Sequence, residues 1–354
     1  MDILITGHRG FIGRHLVDEL TDAGHNVAGV DLAGSASEST PLRWLGCDLG
    51  EDGKIEKVLN HFNPEVVVHL AAQVGRVLGE DDVRHTIREN AELTTLLARE
   101  CARRGVRVLY ASSSEVYGDR DGATCWEWVA PALPHNLYGL SKRWGEEALR
   151  LYAPEGLQIV RLSMPYGPGA PPGRGRRALD NILWQANTGQ RIPIHKGAER
   201  SWCWIGDTVA GIRLVLEEGE RYTPLTRPLH REELGLGVYN IGRDDVPIGM
   251  YELAVQCCEV VGADTSLIDM VAPPPAQTVV KRLATDKLRN LGWSPTVELP
   301  EGLPRVFEWI KGFDIDGLPA GPDGAKCSVC GGPLEPDDLG PECDPTGCPA
   351  RTGG

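Results

Sequence analysis

The stretch that decides the fold is TGHRGFIG, Thr6 to Gly13, which follows the apolar run Ile3 to Ile5. Gly7, Gly10 and Gly13 fall between a strand and the start of a helix expected over Phe11–Ala23. Glycine at such positions permits a tight turn, lets the backbone approach a pyrophosphate and packs the helix on the strand, while the helix N-terminus supplies partial positive charge. The next apolar run, VAGVD, ends on Asp31. A carboxylate there binds the adenosine ribose hydroxyls and repels a 2′-phosphate, which favours NAD over NADP. Asp48 in GCDLG carries two readings, a cofactor contact or a helix cap.

Outward from this turn the pattern continues with EVVVHLAA and VRVLYASS. Continuous β-branched runs separated by helices predict an α/β fold, a doubly wound parallel sheet of the Rossmann type covered on both faces. A crossover helix is expected over Ala91–Arg104, with Leu93, Leu96, Leu97 and Cys101 on one face, and another over Tyr138–Tyr152, carrying Trp144, Ala148 and Leu151 at helical spacing. After LQIVRLSMPYGPG the composition shifts, and Pro165 to Gly175 is dense in Pro, Gly and Arg, which marks a lobe boundary. The expected organisation is a cofactor domain over 1–164 with returning segments near 201–245, a smaller C-terminal lobe mainly over 165–316, and a Cys-rich tail over 317–354. There is no internal repeat.

The chain of 354 residues has 36 basic against 50 acidic side chains, a net charge of -14. That balance argues against nucleic acid as a partner, because such proteins carry a basic footprint. The opening MDILITG has no basic, then apolar, leader pattern, and no run is long and apolar enough to span a membrane. A cytoplasmic protein is expected.

Two further stretches carry chemistry. ASSSEVYG, Ala111 to Gly118, lines up three hydroxyls and a carboxylate just after a strand, and YGLSK places Tyr138 and Lys142 four apart on one helical face. A lysine ammonium and a neighbouring cationic nicotinamide both favour phenolate, lowering the tyrosine pKa toward the range of a base. Together with the glycine trio, HLAAQ at 69–73 and Asn90, these motifs resemble the extended short-chain dehydrogenase/reductases, the NAD-dependent sugar-nucleotide epimerase/dehydratase family. The resemblance runs on through RLSMPYGPG, GAERSWCWIGDTVAG, VYNIG and LRNLGWSPTVELPEGL, and covers roughly residues 1 to 312.

The resemblance implies NAD as cofactor, contacted by Gly7, Arg9, Gly10, Phe11, Ile12, Gly13, Asp31, Asp48, Leu49, Leu70, Ala71, Ala72, Tyr138 and Lys142. It implies Tyr138 as the base, Lys142 as its tuner, and Ser113 as the assisting hydroxyl, with Ser114 in reserve if the strand is bulged; Ser112 is expected to face the core. The implied activity is an epimerase working through a transient 4-keto sugar. Glu115 opens the alternatives of 4,6-dehydratase or hexuronate decarboxylase, and an NAD(P)H-dependent ketosugar reductase is a further one. Arg200 and Arg282 match family arginines that hold the substrate diphosphate, and Arg174 belongs to a basic cluster with Arg176 and Arg177 that suits a phosphate or carboxylate, or a solvated loop. Met164 stands where the family usually has an Asn before YGP. Trp202 and Trp204 read as core or as flanks of a base, and His69 and His195 as structural. The partners implied are a nucleotide sugar and a second copy in a homodimer.

The tail adds Cys327, Cys330, Cys343 and Cys348, a CxxC followed by a CxxxxC in a Gly/Pro-rich segment. Four thiolates in so short a span suit tetrahedral zinc, so a structural zinc knuckle is expected there.

Overall fold

Seven parallel strands form the centre of the molecule; the inner ones are short, nearly continuous apolar runs able to bury both of their faces, while Arg43–Gly46 at one edge, RWLG, stays largely exposed. The computed structural model describes residues 1–32, 43–128, 134–152, 156–169, 177–222, 235–244, 247–273 and 278–313. In chain order the elements of the first half are β1 (Asp2–Thr6), α1 (Phe11–Asp22), β2 (Asn26–Asp31), β3 (Arg43–Gly46), α2 (Lys54–Phe62), β4 (Val66–His69), α3 (Arg76–Asp81), α4 (Val83–Thr86), α5 (Leu93–Arg104), β5 (Arg107–Ser113), β6 (Thr124–Cys125), α6 (Leu137–Tyr152) and β7 (Gln158–Leu162). There follow β8 (Pro165–Tyr166), α7 (Ala178–Asn187), β9 (Ile192–His195), β10 (Glu199–Arg200), β11 (Cys203–Trp204), α8 (Ile205–Glu218), β12 (Val238–Ile241), β13 (Ile248–Gly249), α9 (Met250–Val261), β14 (Ile268–Val271), β15 (Arg282–Leu283), α10 (Asp286–Arg289) and α11 (Leu299–Ile310).

The main sheet runs β12-β7-β5-β4-β1-β2-β3, with Ile3 of β1 level with Val27 of β2 and Val66 of β4. Strand alternation sends Ile3 and Ile5 to one face, where they meet Leu16 and Leu20 of α1 and Val209 and Ile212 of α8. Leu4 and Val67 face the other side, against Leu93 and Leu97 of α5 and Leu149 of α6. The chain re-enters this domain after its excursion, since β12 completes the sheet beside β7 and α8 packs on α1. The smaller lobe has its own core, in which Leu183 of α7, Leu253 and Cys257 of α9, Ile192 of β9 and Val306 of α11 are buried together.

Two helices differ from their sequence reading. A π-helical turn, Ile87–Glu92, precedes α5 and holds Asn90, and Leu96 lies 38 % exposed rather than on the buried face with Leu93 and Leu97. On α6 the buried face is Tyr138, Lys142, Gly145, Glu146 and Leu149, while Trp144 and Leu151 point outward at 59 % and 78 % exposure. Gly145 explains the choice. A Cβ there would stand 2.4 Å from the Tyr110 hydroxyl, so only glycine lets this face approach β5. The tail with its four cysteines lies outside the described residues. Among the described residues no group of three or more His, Cys, Asp or Glu is placed to hold a metal ion, and no helix is long and apolar enough to cross a membrane.

Candidate active site

A cavity of about 600 Å³ opens along the C-terminal ends of β1, β2, β4 and β5, the position where open parallel sheets bind ligands. Its cofactor end is shaped by the glycines. Gly7 adopts φ +71°, and a Cβ on it would lie 2.8 Å from the Ala71 amide nitrogen. A Cβ on Gly13 would stand 2.3 Å from the Gly7 carbonyl oxygen, so α1 can sit this close to the turn only through glycine. Gly10 precedes α1 with no side chain to cap it, which leaves the first amides of the helix for a ligand. Gly7, Gly10, Phe11, Ile12, Gly13, Asp31, Asp48, Leu49, Leu70, Ala71 and Ala72 all line this end. This cradle of backbone donors, with a carboxylate at the far end of β2, fits a dinucleotide diphosphate and ribose.

Arg9 does not line the cavity. Its amide donates to Asp31 Oδ2 at 2.9 Å and its guanidinium carbon stacks 3.7 Å from the centre of the Trp44 ring, so it steadies the carboxylate from behind. Asp48 accepts from the Gly50 amide at 2.8 Å and from Arg88 at 2.6 Å, combining a turn role with a place on the cavity wall. Despite the cost of partial burial, those bonds hold its carboxyl below the usual range.

β5 delivers the hydroxyls. Ser113 caps a 3-10 turn over Ser114–Tyr117, its Oγ accepting from the Glu115 amide at 3.2 Å, and its hydroxyl is near enough to the Tyr138 phenol to favour the phenolate. Ser112 points the other way and donates to Glu146 Oε1 at 2.6 Å, as alternation on a strand requires. Ser114 is buried on the cavity wall. Tyr138 and Lys142 share the inner face of α6, and the Lys142 ammonium donates to the Ala111 carbonyl at 2.9 Å. Asn90 fixes this helix, donating to Ser141 Oγ and to the Gln73 carbonyl, both at 2.9 Å, and accepting from the Gln73 amide.

Burial changes the expected electrostatics. It pushes the Tyr138 phenol up to about 12, with the Ser113 hydroxyl opposing, and it pulls Lys142 down to about 7. In the protein alone, desolvation of the phenolate dominates at Tyr138; the cationic nicotinamide that the sequence reading sets beside Lys142 to favour phenolate comes with the cofactor.

The family described as the NAD dependent epimerase/dehydratase family matches residues 3–242. The chain belongs to this family. UDP-glucuronic acid decarboxylase 6 of Arabidopsis thaliana is 30% identical over 320 residues, spanning 87% of this chain and 88% of the relative. Among solved structures, UDP-glucose 4-epimerase of Thermus thermophilus in complex with NAD superposes with a TM-score of 0.75 at 25% identity, covering 88% of this chain and 99% of that one. DesIV, a dTDP-glucose 4,6-dehydratase from Streptomyces venezuelae with NAD bound, gives 0.76 at 26% identity over 87% of this chain and 96% of that one.

Against this family frame the substrate side departs from the sequence reading. Arg200 is half-buried and donates to the carbonyls of Glu199 and Val279 at 2.7 Å and of Thr278 at 2.6 Å, and it is absent from the cavity lining. Burial pulls its guanidinium down to about 10. Arg282 at the start of β15 is exposed, and Lys281, the residue just before the strand, faces inward instead. Arg174 lies outside the described residues. Lys281 was not singled out in the sequence; it is buried on the cavity wall, forms an ion pair with Glu115, and has its ammonium pulled below the usual lysine range by burial. Glu115 Oε2 also accepts from Asn136 at 2.9 Å. Met164 lines the cavity in a left-handed backbone conformation, φ +44°, beside Trp202 across the β8–β11 pairing. Trp202 is buried, Trp204 packs between both cores, and His69 is a buried structural residue bonded to Thr6 and Thr94.

Proposed function

We propose that the chain is an NAD-dependent nucleotide-sugar 4-epimerase that works through a transient 4-keto sugar. The observation that carries this reading is the state of Glu115. Both of its oxygens are engaged, one by Lys281 and one by Asn136, so the carboxylate beside Ser113 serves as a holder of substrate and wall rather than as a carrier of protons. An epimerase needs no acid or base beyond the Tyr138, Ser113 and Lys142 group, and that group is assembled and buried on one wall.

In this reading Tyr138 takes the proton of the sugar C4 hydroxyl and gives it back, and the neighbouring Ser113 hydroxyl relays it. Lys142, anchored on the Ala111 carbonyl, favours the phenolate when it is protonated. When bound, NAD supplies the hydride acceptor, the donor for the return step, and a positive charge that also favours phenolate. The apolar residues Leu70, Leu162 and Met164 along the cavity keep water from the reacting carbon. Glu115 and Lys281 orient hydroxyls of the sugar.

A second reading, decarboxylation of a nucleotide hexuronate, is favoured by Lys281, a buried cation on the cavity wall that suits a sugar carboxylate. The similarity to UDP-glucuronic acid decarboxylase 6 supports it too. A panel of UDP- and dTDP-sugars, read by mass spectrometry and proton NMR, separates the two. Unchanged mass with inversion at one carbon supports epimerisation; loss of CO2 or of water replaces it.

The protein acts as a homodimer in this proposal, through the outward stripe of Leu96 on α5 and Leu140, Trp144 and Leu151 on α6. Trp144→Asp is expected to give monomers by light scattering, and an unchanged mass would remove this face from the interface.

A further inference from the structure

The Glu115–Lys281 pair joins two segments that are tied to each other, 115–119 after β5 and 278–284 around β15. The second segment is anchored at its near end. There the Val279 amide donates to Asp119 Oδ2 at 3.0 Å, and Arg200 donates to the Thr278 and Val279 carbonyls at 2.6 and 2.7 Å. Its far end is anchored by Asn240, a fully buried carboxamide on β12. Asn240 Nδ2 donates to the Cys125 carbonyl of β6 and to the Ala284 carbonyl just past β15, both at 2.9 Å. Its Oδ1 accepts from the Tyr117 hydroxyl at 2.8 Å, and Tyr117 closes the 3-10 turn that carries Glu115. Arg161, level with Asn240 in the β7–β12 register, donates to the same hydroxyl at 2.9 Å. A guanidinium can only donate, so the phenol proton is directed to Asn240.

We propose that Asn240 is a positioning residue for the sugar end of the cavity: it joins the turn of Glu115 to the strand beside Lys281 and so fixes the spacing of that pair. The inference rests on the proposed role of Glu115 and Lys281 in orienting the sugar. A carboxamide suits the task because it carries two donors and an acceptor in one plane, and all three are engaged with buried partners here. An aliphatic or carboxylate side chain at this position strands at least one of those partners. Lys281 stands midway between the anchored Thr278 and Ala284, so the backbone that carries its long side chain is set before any ligand arrives, which reduces the ordering cost of binding. Asn240 itself is absent from the cavity lining. Its influence therefore falls on the sugar-orienting pair and not on Tyr138, Ser113 or Lys142.

The test uses full-length, NAD-loaded protein with UDP-glucose and dTDP-glucose as the sugar nucleotides. Asn240→Asp keeps the shape and the acceptor for Tyr117 but removes both N–H donors. It is expected to raise KM about three- to tenfold, the net worth of one hydrogen bond, with kcat held within about twofold. In a Lys281→Met background the same substitution shifts KM by less than about twofold, because its effect passes through Lys281. Tyr117→Phe, which leaves Asn240 in place, raises KM in the same direction. Hydrogen exchange read by mass spectrometry becomes faster over 279–285 in Asn240→Asp and stays as in the parent over 138–149. An unchanged KM overturns the proposal, as does an equal rise with and without Lys281, or a fall in kcat alone. Faster exchange over 138–149 as well overturns it by showing a loosened fold. If the parent turns over neither sugar nucleotide, the proposed function fails, which is a distinct result. Exchange over 279–285 then decides the positioning by itself: faster supports it, unchanged overturns it.

Discussion

Lys142→Met should stabilise the nucleotide-free protein while removing its activity. Lys142 is 3% exposed, and burial pulls its pKa from an ordinary 10.5 to about 7. At about 1.4 kcal/mol per tenfold change in proton affinity, the folded state at pH 7 carries a penalty of roughly 4 kcal/mol, an upper bound for so buried a group. Methionine escapes that penalty but leaves the Ala111 carbonyl, now bonded at 2.9 Å, without its donor, which costs about 1–3 kcal/mol. A net gain of about 2 kcal/mol at pH 7 is expected. The sign with pH follows from proton counting. Between about pH 7 and 10.5 the unfolded lysine binds its proton and the folded one does not, so the parent grows more stable as pH rises through this window. Below pH 7 the penalty is complete. The advantage of Lys142→Met is therefore largest at pH 7 and below, and shrinks by up to about 1.4 kcal/mol per pH unit above it. Urea unfolding of both proteins at pH 7, 8 and 9 measures this difference. An advantage that stays constant with pH, or a variant less stable at every pH, would refute the reasoning.

Other expectations follow from single contacts. Glu146 accepts from Arg161 at 2.9 and 2.7 Å and from Ser112; burial opposes its charge, yet Arg161 holds its carboxyl down at about 2. Glu146→Ala strands Arg161, itself 3% exposed, and should cost about 3–5 kcal/mol in urea unfolding; a loss under about 1 kcal/mol contradicts a buried pair. Glu115→Gln should raise KM for the sugar nucleotide several-fold and leave kcat within about tenfold, whereas complete loss of turnover shows that Glu115 carries a proton. Asp31→Ser should narrow the preference for NAD over NADP by about tenfold or more in direct binding measurements; an unchanged ratio places the selection elsewhere.

The parts of the fold that were legible in the sequence are those with a local period or a local steric rule. Gly7, Gly10 and Gly13 could be placed because a tight turn and a close helix admit no Cβ, and the parallel strands because their apolar runs are unbroken. Tyr138, Lys142 and Ser113 converge as expected, since one helix face and one strand end present them. The substrate wall was not legible. Lys281 meets Glu115 across 166 positions, through a two-residue pairing of β15 with β6 that no period announces. Lys281, just before β15, turns inward and Arg282, the first residue of the strand, outward, so a one-residue shift of this segment would exchange them. Arg200 looked like a phosphate ligand, but the chain spends its guanidinium on backbone carbonyls at 278–279. On α6, apolar spacing alone did not show which face is buried, because Gly145 and the buried Glu146 mark the inner face while Trp144 and Leu151 mark the outer one.

The central claim is that a hydride leaves the sugar at C4 and returns to C4 from the other face. It is tested most directly with UDP-glucose and UDP-glucuronate deuterated at C4, followed by mass spectrometry and NMR. The account predicts a product of unchanged mass, inverted at C4, with the deuterium still on that carbon. A product lighter by water or CO2, or deuterium found on another carbon, would contradict it.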